Sequence, residues 1–244
     1  MNSLLKKTTH HLRHTGLIAT AKKIAKLGMK TRFKKRRTLQ QRLKHQIDLH
    51  NKSYDAISGL MLELHNGIHP KHRIMNYHQY FLDHIEPTDQ VLDLGCGNGY
   101  LAFDLAGKAK EVIGIDILPD NIAFAQKNYK RSNLKFLLAD GTVYKGEQID
   151  KIVLSNVLEH IADRKTFLDK LHRIAPILLV RVPLITRDWL AVYKKEQGFE
   201  YRLDKTHFIE YRPEELKDEL AKSSWEIESC QINWGEWWGV VKEI

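Results

Sequence analysis

Between Thr15 and Lys30 the apolar residues keep to one side of a 3.6-residue period. Leu17, Ala21, Ile24 and Gly28 line that face, Ile18 and Ala25 widen it, and Lys22, Lys23, Lys26 and Lys30 project from the other. The spacing predicts an amphipathic helix. A basic run, RFKKRR from Arg32 to Arg37, follows, and then a second helical pattern from Leu39 to about Leu64. Gly67 and Pro70 end it, since neither continues a helix well.

From Asn76 onward the rhythm changes. After a short helix over Tyr77 to Ile85, strand-like apolar segments at residues 91–94, 111–115, 134–138, 149–154 and 177–182 alternate with helical patterns at 100–106, 121–129 and 164–174. Such alternation predicts an α/β fold of Rossmann-like type: a doubly wound, mostly parallel sheet with right-handed crossovers and helices on both faces. A last helix over Pro213 to Lys222 leads into WEIESCQINW and EWWGVVKEI, which read as two strands joined near Gly235. That hairpin would give the sheet an antiparallel C-terminal edge. The expected organisation is therefore a helical arm, residues 1–66, and an α/β domain, residues 67–244.

Charge sharpens this division. The chain of 244 residues carries a net +9, yet residues 1–50 hold 14 Lys and Arg against one acid, Asp48, and the remainder is mildly acidic. The two cysteines, Cys96 and Cys230, form neither a disulfide framework nor a zinc pattern, which points to a reducing, cytoplasmic setting. No apolar run approaches the ~20 residues of a membrane-spanning helix.

The strongest chemical signal is VLDLGCGNGY, Val91 to Tyr100, a strand followed at once by Gly95, Gly97 and Gly99. Glycines at that place let a ligand approach the backbone closely. Two common ligand classes fit poorly. A dinucleotide fingerprint needs Gly or Ala where Tyr100 stands, and no Gly-Lys-Ser/Thr of a phosphate loop follows. Asp93 makes the entrance acidic, which suits a ligand carrying positive charge better than a pyrophosphate. Asp116, 19 residues beyond Gly97, ends the second strand, where a carboxylate can accept both hydroxyls of a ribose. Asp140 follows the third, able to accept from the exocyclic amine of a base. A glycine turn without a ligand and two ordinary capping aspartates are the competing reading. Cys96 reads as a small filler within the loop.

Taken as a set, these residues resemble the class I S-adenosylmethionine-dependent methyltransferases, of the small-molecule and ubiquinone-biosynthesis-like group. The family's acid-x-Gly-x-Gly-x-Gly is matched by Asp93 to Gly99, its ribose acid by Asp116 and its adenine-side acid by Asp140; Asp150 to Asp163 is similar to its fourth strand and following loop. The resemblance covers residues 76–244. It implies a seven-stranded sheet, S-adenosylmethionine as cofactor and an enzyme that transfers a methyl group. It also implies a cofactor set of Asp93, Gly95, Cys96, Gly97, Gly99, Asp116, Ile117, Asp140, Gly141 and Asn156, with Arg73 and Tyr77 on a covering helix.

On the acceptor side, His160 in SNVLEHIAD falls at the mouth of the fourth strand and titrates near neutral pH, as a general base should; opening the next helix is the alternative. After the fifth strand a segment of low helical periodicity crowds polar and aromatic groups, and such loops commonly set acceptor specificity. Arg181, Arg187, Trp189, Tyr201 and Tyr211 are the expected substrate contacts there. Asp204 and His207, three apart, are expected as a hydrogen-bonded catalytic pair rather than as metal ligands, so no metal is expected.

The acceptor is open: an O or N atom of a small molecule, a glycan or a lipid-linked compound. The basic arm suits the surface of an anionic membrane, with the protein peripheral at its inner face, or RNA, or packing on its own domain. Against nucleic-acid base methylation, Ser155 to Leu158 lacks the Asn/Asp-Pro-Pro-aromatic pattern that such enzymes carry after the fourth strand. The rival from another class is a non-catalytic cofactor-binding protein whose arm binds membrane or RNA; an RNA methyltransferase is the remaining one.

Overall fold

The computed structural model describes residues 22–23 and 38–244. The helix expected over Thr15 to Lys30 therefore lies outside the described residues, apart from Lys22 and Lys23, which are helical and exposed. The chain divides into two units, residues 1–60 and 61–244. Helix α1 covers residues 38–64, matching the second helical pattern. Its stop follows from Asn66 and Gly67, both with left-handed backbone (φ 55° and 84°), which let the Gly67 amide donate to Leu62 O at 2.8 Å. Among the described residues no helix is long and apolar enough to cross a membrane.

Two short helices, α2 (Lys71–Met75) and α3 (Tyr77–Asp83), are separated by Asn76, whose φ of 52° turns the chain between them. The sheet follows. Its strands are β1 (Gln90–Leu94), β2 (Glu111–Asp116), β3 (Leu134–Leu138), β4 (Lys151–Ser155), β5 (Ile177–Pro183), β6 (Trp225–Asn233) and β7 (Glu236–Glu243), in spatial order β3-β2-β1-β4-β5-β7-β6. The first five are parallel, and β7 runs antiparallel between β5 and β6. Trp234 and Gly235, both at positive φ, make the two-residue turn of the expected hairpin. Helices α4 (Tyr100–Leu105), α5 (Pro119–Asn128), α6 (Arg164–Leu171), α7 (Trp189–Glu196) and α8 (Pro213–Lys222) complete the layers.

The central strands β1, β4 and β5 read as nearly unbroken apolar runs because both of their faces are buried. Leu92, Leu94, Ile152, Leu154, Leu178 and Val180 join Leu168, Leu220 and Trp225 in one core; Val91, Val153 and Leu179 join Phe81, Leu105 and Trp238 in the other. This period-two division places the strand ends, and with them the site, between two packed layers. Two sequence expectations shift. Strand β4 starts at Lys151 rather than 149, because the Ile149 amide is drawn to Ile174 O instead of a neighbouring strand. Helix α7 occupies part of the segment expected to be irregular; Asp188 starts it by accepting the Leu190 amide.

Candidate active site

The order of strands reverses between β1 and β4, and the cleft beyond their carboxyl ends is where such sheets bind ligands. The glycine loop forms one wall. The amides of Gly95 and Cys96 both donate to Ile115 O, at 2.8 and 2.9 Å, folding the loop over the end of β2. Gly97 then donates to Asp116 Oδ2 at 2.9 Å, while Asp116 Oδ1 accepts from the Leu118 amide (2.8 Å) and Asn121 Nδ2 (3.1 Å). Three donors fix one carboxylate beside the loop. At Gly99 (φ 81°) a Cβ would lie 2.7 Å from Ala125 and the Phe136 ring, so packing as well as backbone demands glycine. At Gly97 (φ 52°) nothing lies within 4 Å of that position, and the loop is bare toward the cleft.

Asp93 is 1% exposed, and its Oδ2 has no hydrogen-bond partner among the described residues. Burial, and secondly the Asp116 charge, raises its pKa from 3.8 to about 7. Asn156, at φ 59° just past β4, likewise buries an unpartnered Oδ1 while its amide holds Arg181 O at 2.8 Å. Two orphaned acceptors and an oriented carboxylate ask for a ligand rich in donors and positive charge. The ammonium and ribose hydroxyls of S-adenosylmethionine supply both, so the residues present fit the expected cofactor.

The other expected cofactor residues divide. Cys96 is buried, its thiol pKa pushed up by burial and then by Asp93 and Asp116, which suits a filler. Ile117 is exposed beside Asp116. Gly141 lets Leu94 pack where a Cβ would be 2.6 Å away. Asp140 uses Oδ1 to hold the amide and hydroxyl of Thr142 (2.8 and 2.7 Å), so part of its carboxylate serves a turn. Tyr77 is buried under the Arg181 guanidinium, 3.7 Å from its ring centroid, whereas Arg73 is exposed on α2.

Beyond the end of β4, Glu159 sits in the 3-10 turn Leu158–His160. It is 0% exposed, and neither carboxylate oxygen has a hydrogen-bond partner among the described residues. Burial above all raises its pKa to about 8. His160 Nδ1 lies 2.9 Å from Thr206 Oγ1, and that hydroxyl donates to Asp204 Oδ1 at 2.8 Å. The hydroxyl therefore accepts from His160, which puts the imidazole hydrogen on Nδ1 and leaves Nε2 as a lone pair. Burial, then His207, lowers the His160 pKa. His207 Nδ1 is 3.2 Å from Glu210 Oε1, a fully buried carboxylate that also takes Arg187 Nη1 and the Leu203 amide. Its Nε2 is thus left for other use. The rings of His160 and His207 meet edge to face at 4.6 Å, and one ligand-capable atom from each of Glu159, His160 and His207 falls within 4.8 Å of the others.

Several sequence expectations are corrected here. Asp204 and His207 are not joined through their side chains: Asp204 caps Thr206, and Glu210 is the partner of His207. The segment is not helical, so the three-residue spacing brings His207 to Glu210 through a loop. The expectation of no metal meets a constellation with the ligands for one. Arg181 is buried in a two-pronged pair with Glu236 (2.5 and 2.8 Å) and also bonds Ser155 Oγ, so it braces the strand ends instead of facing substrate. Arg187 is a strut, binding Glu210, Leu184 O and Tyr201 O. Tyr211 is wholly buried with its hydroxyl on Glu219 (2.8 Å), away from any acceptor. Tyr201 is half-buried, and Trp189, 77% exposed, opens α7 at the surface.

Sequence reading passed over His72 and His78, which the structure brings together with Tyr77. Four histidines between His65 and His78 were the available signal.

Comparison with known proteins agrees with this geometry. Residues 85–181 match the family model described as a methyltransferase domain. The ubiquinone biosynthesis O-methyltransferase of Rhizobium johnstonii is 32% identical over 149 residues, 57% of this chain and 60% of the relative; that of Bartonella tribocorum is 30% identical over 148 residues, 55% and 59%. The chain thus spans about 60% of the length of these curated relatives. Among solved structures, a TehB-like SAM-dependent methyltransferase from Corynebacterium glutamicum aligns with a TM-score of 0.55 at 15% identity, covering 81% of this chain and 100% of that one. Magnesium protoporphyrin IX methyltransferase from Synechocystis, with bound SAH, gives 0.53 at 17%, covering 80% and 84%. These two structures share the fold. With its strand order, its Asp93 to Gly99 loop and the methyltransferase-domain match over residues 85–181, the sheet domain of this chain is similar to the class I S-adenosylmethionine-dependent methyltransferases.

Proposed function

We propose that this chain is an O-methyltransferase that moves a methyl group from S-adenosylmethionine to a hydroxyl of a small molecule. The observation that carries the reading is the convergence of Gly97, Asp116 and the unpartnered Asp93 on one open loop at the reversal of strand order. Asp116 would accept the ribose hydroxyls, Ile117 would cover the base and the free side of Asp140 its amine, while Asp93 and Asn156 would meet the amino-acid end. When bound, the cofactor supplies an activated methyl on a sulfonium. The residues of the chain hold the acceptor in line with it and exclude water, which is worth ~7–11 kcal/mol of barrier.

Oxygen is favoured as the accepting atom by the cluster at the cleft mouth and by the named activity of the sequence relatives. Glu159, His160 and His207 offer one carboxylate and two imidazoles whose Nδ1 atoms are each tied to an oxygen, the outer support metal-binding histidines ordinarily have. A divalent cation held there would favour the anionic form of an acceptor hydroxyl. Two imidazoles and one carboxylate select a transition ion over magnesium. A catechol, with two adjacent oxygens, is the simplest acceptor for such a site. The basic arm is proposed to keep the protein on an anionic membrane surface, near acceptors of low solubility; cosedimentation no stronger with anionic than with neutral liposomes would remove that part.

The test of the whole reading is calorimetry with S-adenosylhomocysteine, followed by transfer of labelled methyl from S-adenosylmethionine to a catechol. Binding lost in Asp116→Ala and transfer seen with the native chain are the expected results. Heat absent with the native chain would overturn it.

A further inference from the structure

Asp116 is the residue to which the reading above gives the ribose, and the hydrogen bonds it already makes limit what it can take. An ionised carboxylate offers about four lone-pair places, two on each oxygen. Oδ1 accepts the Leu118 amide at 2.8 Å and Asn121 Nδ2 at 3.1 Å, so both of its places are filled. Oδ2 accepts the Gly97 amide at 2.9 Å and keeps one place. A ribose presents two hydroxyls. The carboxylate has room for one.

Two of the three donors are backbone amides fixed by their surroundings. Gly97 belongs to the loop that the Gly95 and Cys96 amides fold over Ile115 O, and Leu118 is the N-cap of α5, directly before Pro119. Asn121 is the third, and the one side chain among them. It stands half-buried in the first turn of α5. Its Nδ2 must be the atom that faces the carboxylate, since Oδ1 in that place would set two acceptors against each other. Swinging the side chain away to admit a second hydroxyl would exchange one donor on Oδ1 for another, with no gain in hydrogen bonds to that oxygen. The filled place therefore stays filled when the ligand enters.

We propose that Asn121 is a specificity-determining residue for the cofactor: it closes one place on Asp116, so that this carboxylate takes a single ribose hydroxyl directly. The proposal rests on the methyltransferase reading, which supplies the ribose, and it narrows the share of Asp116 in that reading from both hydroxyls to one. Asn121 acts through Asp116 and is a positioning residue. The acid alone, as the end of a strand, allows both hydroxyls; the donor five residues on removes one of them. The site thus reads the two hydroxyls unequally.

Calorimetry on the full chain with S-adenosylhomocysteine and its 2′-deoxy and 3′-deoxy analogues tests this. With the native chain one analogue should bind as tightly as the parent compound and the other at least about 10-fold more weakly. In Asn121→Ala, which keeps a good helix former in α5, Oδ1 regains a place, and both analogues should fall at least about 10-fold below the parent. A native chain that penalises both analogues, or neither, overturns the proposal. So does a variant that weakens all three ligands by one factor, since a mere brace would act on them alike. A second arm follows Asn121 itself. In the 15N-labelled chain its side-chain amide signal, identified by its loss in Asn121→Ala, should keep its hydrogen-bonded shift on saturation with S-adenosylhomocysteine; a move to the shift of a free amide shows Oδ1 released and overturns the closure. Absence of heat between the native chain and the parent compound is a different failure, which removes the cofactor reading and this proposal with it.

Discussion

Asp93 gives the sharpest quantitative test, because removing its charge should move stability and binding in opposite directions. Its carboxyl is buried beside Asp116, and its pKa stands at about 7 against the ordinary 3.8. An acid whose folded pKa is raised supports the fold only in its neutral form. That support is complete below about pH 4, fades as pH rises through 7 and is absent above. The gap corresponds to roughly 4 kcal/mol. Asparagine keeps the shape without the charge but buries amide hydrogens of its own, at a cost of about 1–3 kcal/mol. Asp93→Asn should therefore be about 1–3 kcal/mol more stable than the native chain at pH 8 and no more stable at pH 4. Urea unfolding of the ligand-free proteins at both pH values measures this. Calorimetry at pH 8 should show the opposite trend, since losing a charge-assisted hydrogen bond to the ligand's ammonium weakens S-adenosylhomocysteine by about 10- to 150-fold. A variant less stable than the native chain at pH 8, or one that binds the ligand equally well, would refute the placement of a buried, ligand-facing carboxylate at this position.

Three other outcomes follow from the same structure. Zinc or manganese added to the native chain should give a saturable heat that Glu159→Gln reduces by at least about 10-fold, and chelation should slow methyl transfer to a catechol; equal metal affinity in both proteins would dismiss the cluster as a site. Gly99→Ala combines a left-handed backbone with a Cβ 2.7 Å from Ala125 and Phe136, so thermal or urea unfolding should show a loss of roughly 2–5 kcal/mol. Arg181→Ala leaves Glu236 buried without its partner and should cost about 3–5 kcal/mol, whereas the double replacement Arg181→Met with Glu236→Leu should recover most of that; a single variant as stable as the native chain would contradict the buried pair.

The residues proposed to hold the cofactor were legible because their signals are local. A strand, three glycines and an acid lie within nine positions, while Asp116 ends β2 and Asp140 follows β3 by two residues, so one-dimensional spacing maps onto adjacent strand ends. The apolar segments of the central strands were legible for the same reason: β1, β4 and β5 are buried on both faces, so their apolar runs are continuous in the chain. The hairpin at Trp234 and Gly235 was readable from its glycine. Helix α7 was not, since Trp189, Tyr193 and the lysines around them carry little apolar periodicity and its start depends on one capping contact from Asp188.

The acceptor side resisted reading because its roles are assigned by partners far apart in sequence. Asp204 and His207 look like a pair until Thr206 takes Asp204 and Glu210 takes His207; Glu210 is in turn held by Arg187, 23 residues upstream. Polar and aromatic composition after the fifth strand suggested that Arg181 and Tyr211 would face a substrate, yet Glu236 and Glu219 draw both into the core. The same arginine covers the Tyr77 ring and bonds Ser155 Oγ, so it ties α3 to the end of β4. Arg181, Arg187 and Tyr211, which looked like substrate contacts by composition, each found a carboxylate partner and became braces. Among the described residues, buried polar atoms without a hydrogen-bond partner occur on Asp93, Asn156 and Glu159, in or just beyond β1 and β4, and also on Tyr80, His172 and Ser223 elsewhere. Unfilled hydrogen-bonding capacity marks a candidate working group here only when it coincides with a strand end, as at Asp93 and Asn156, and that coincidence is visible only once the chain is folded.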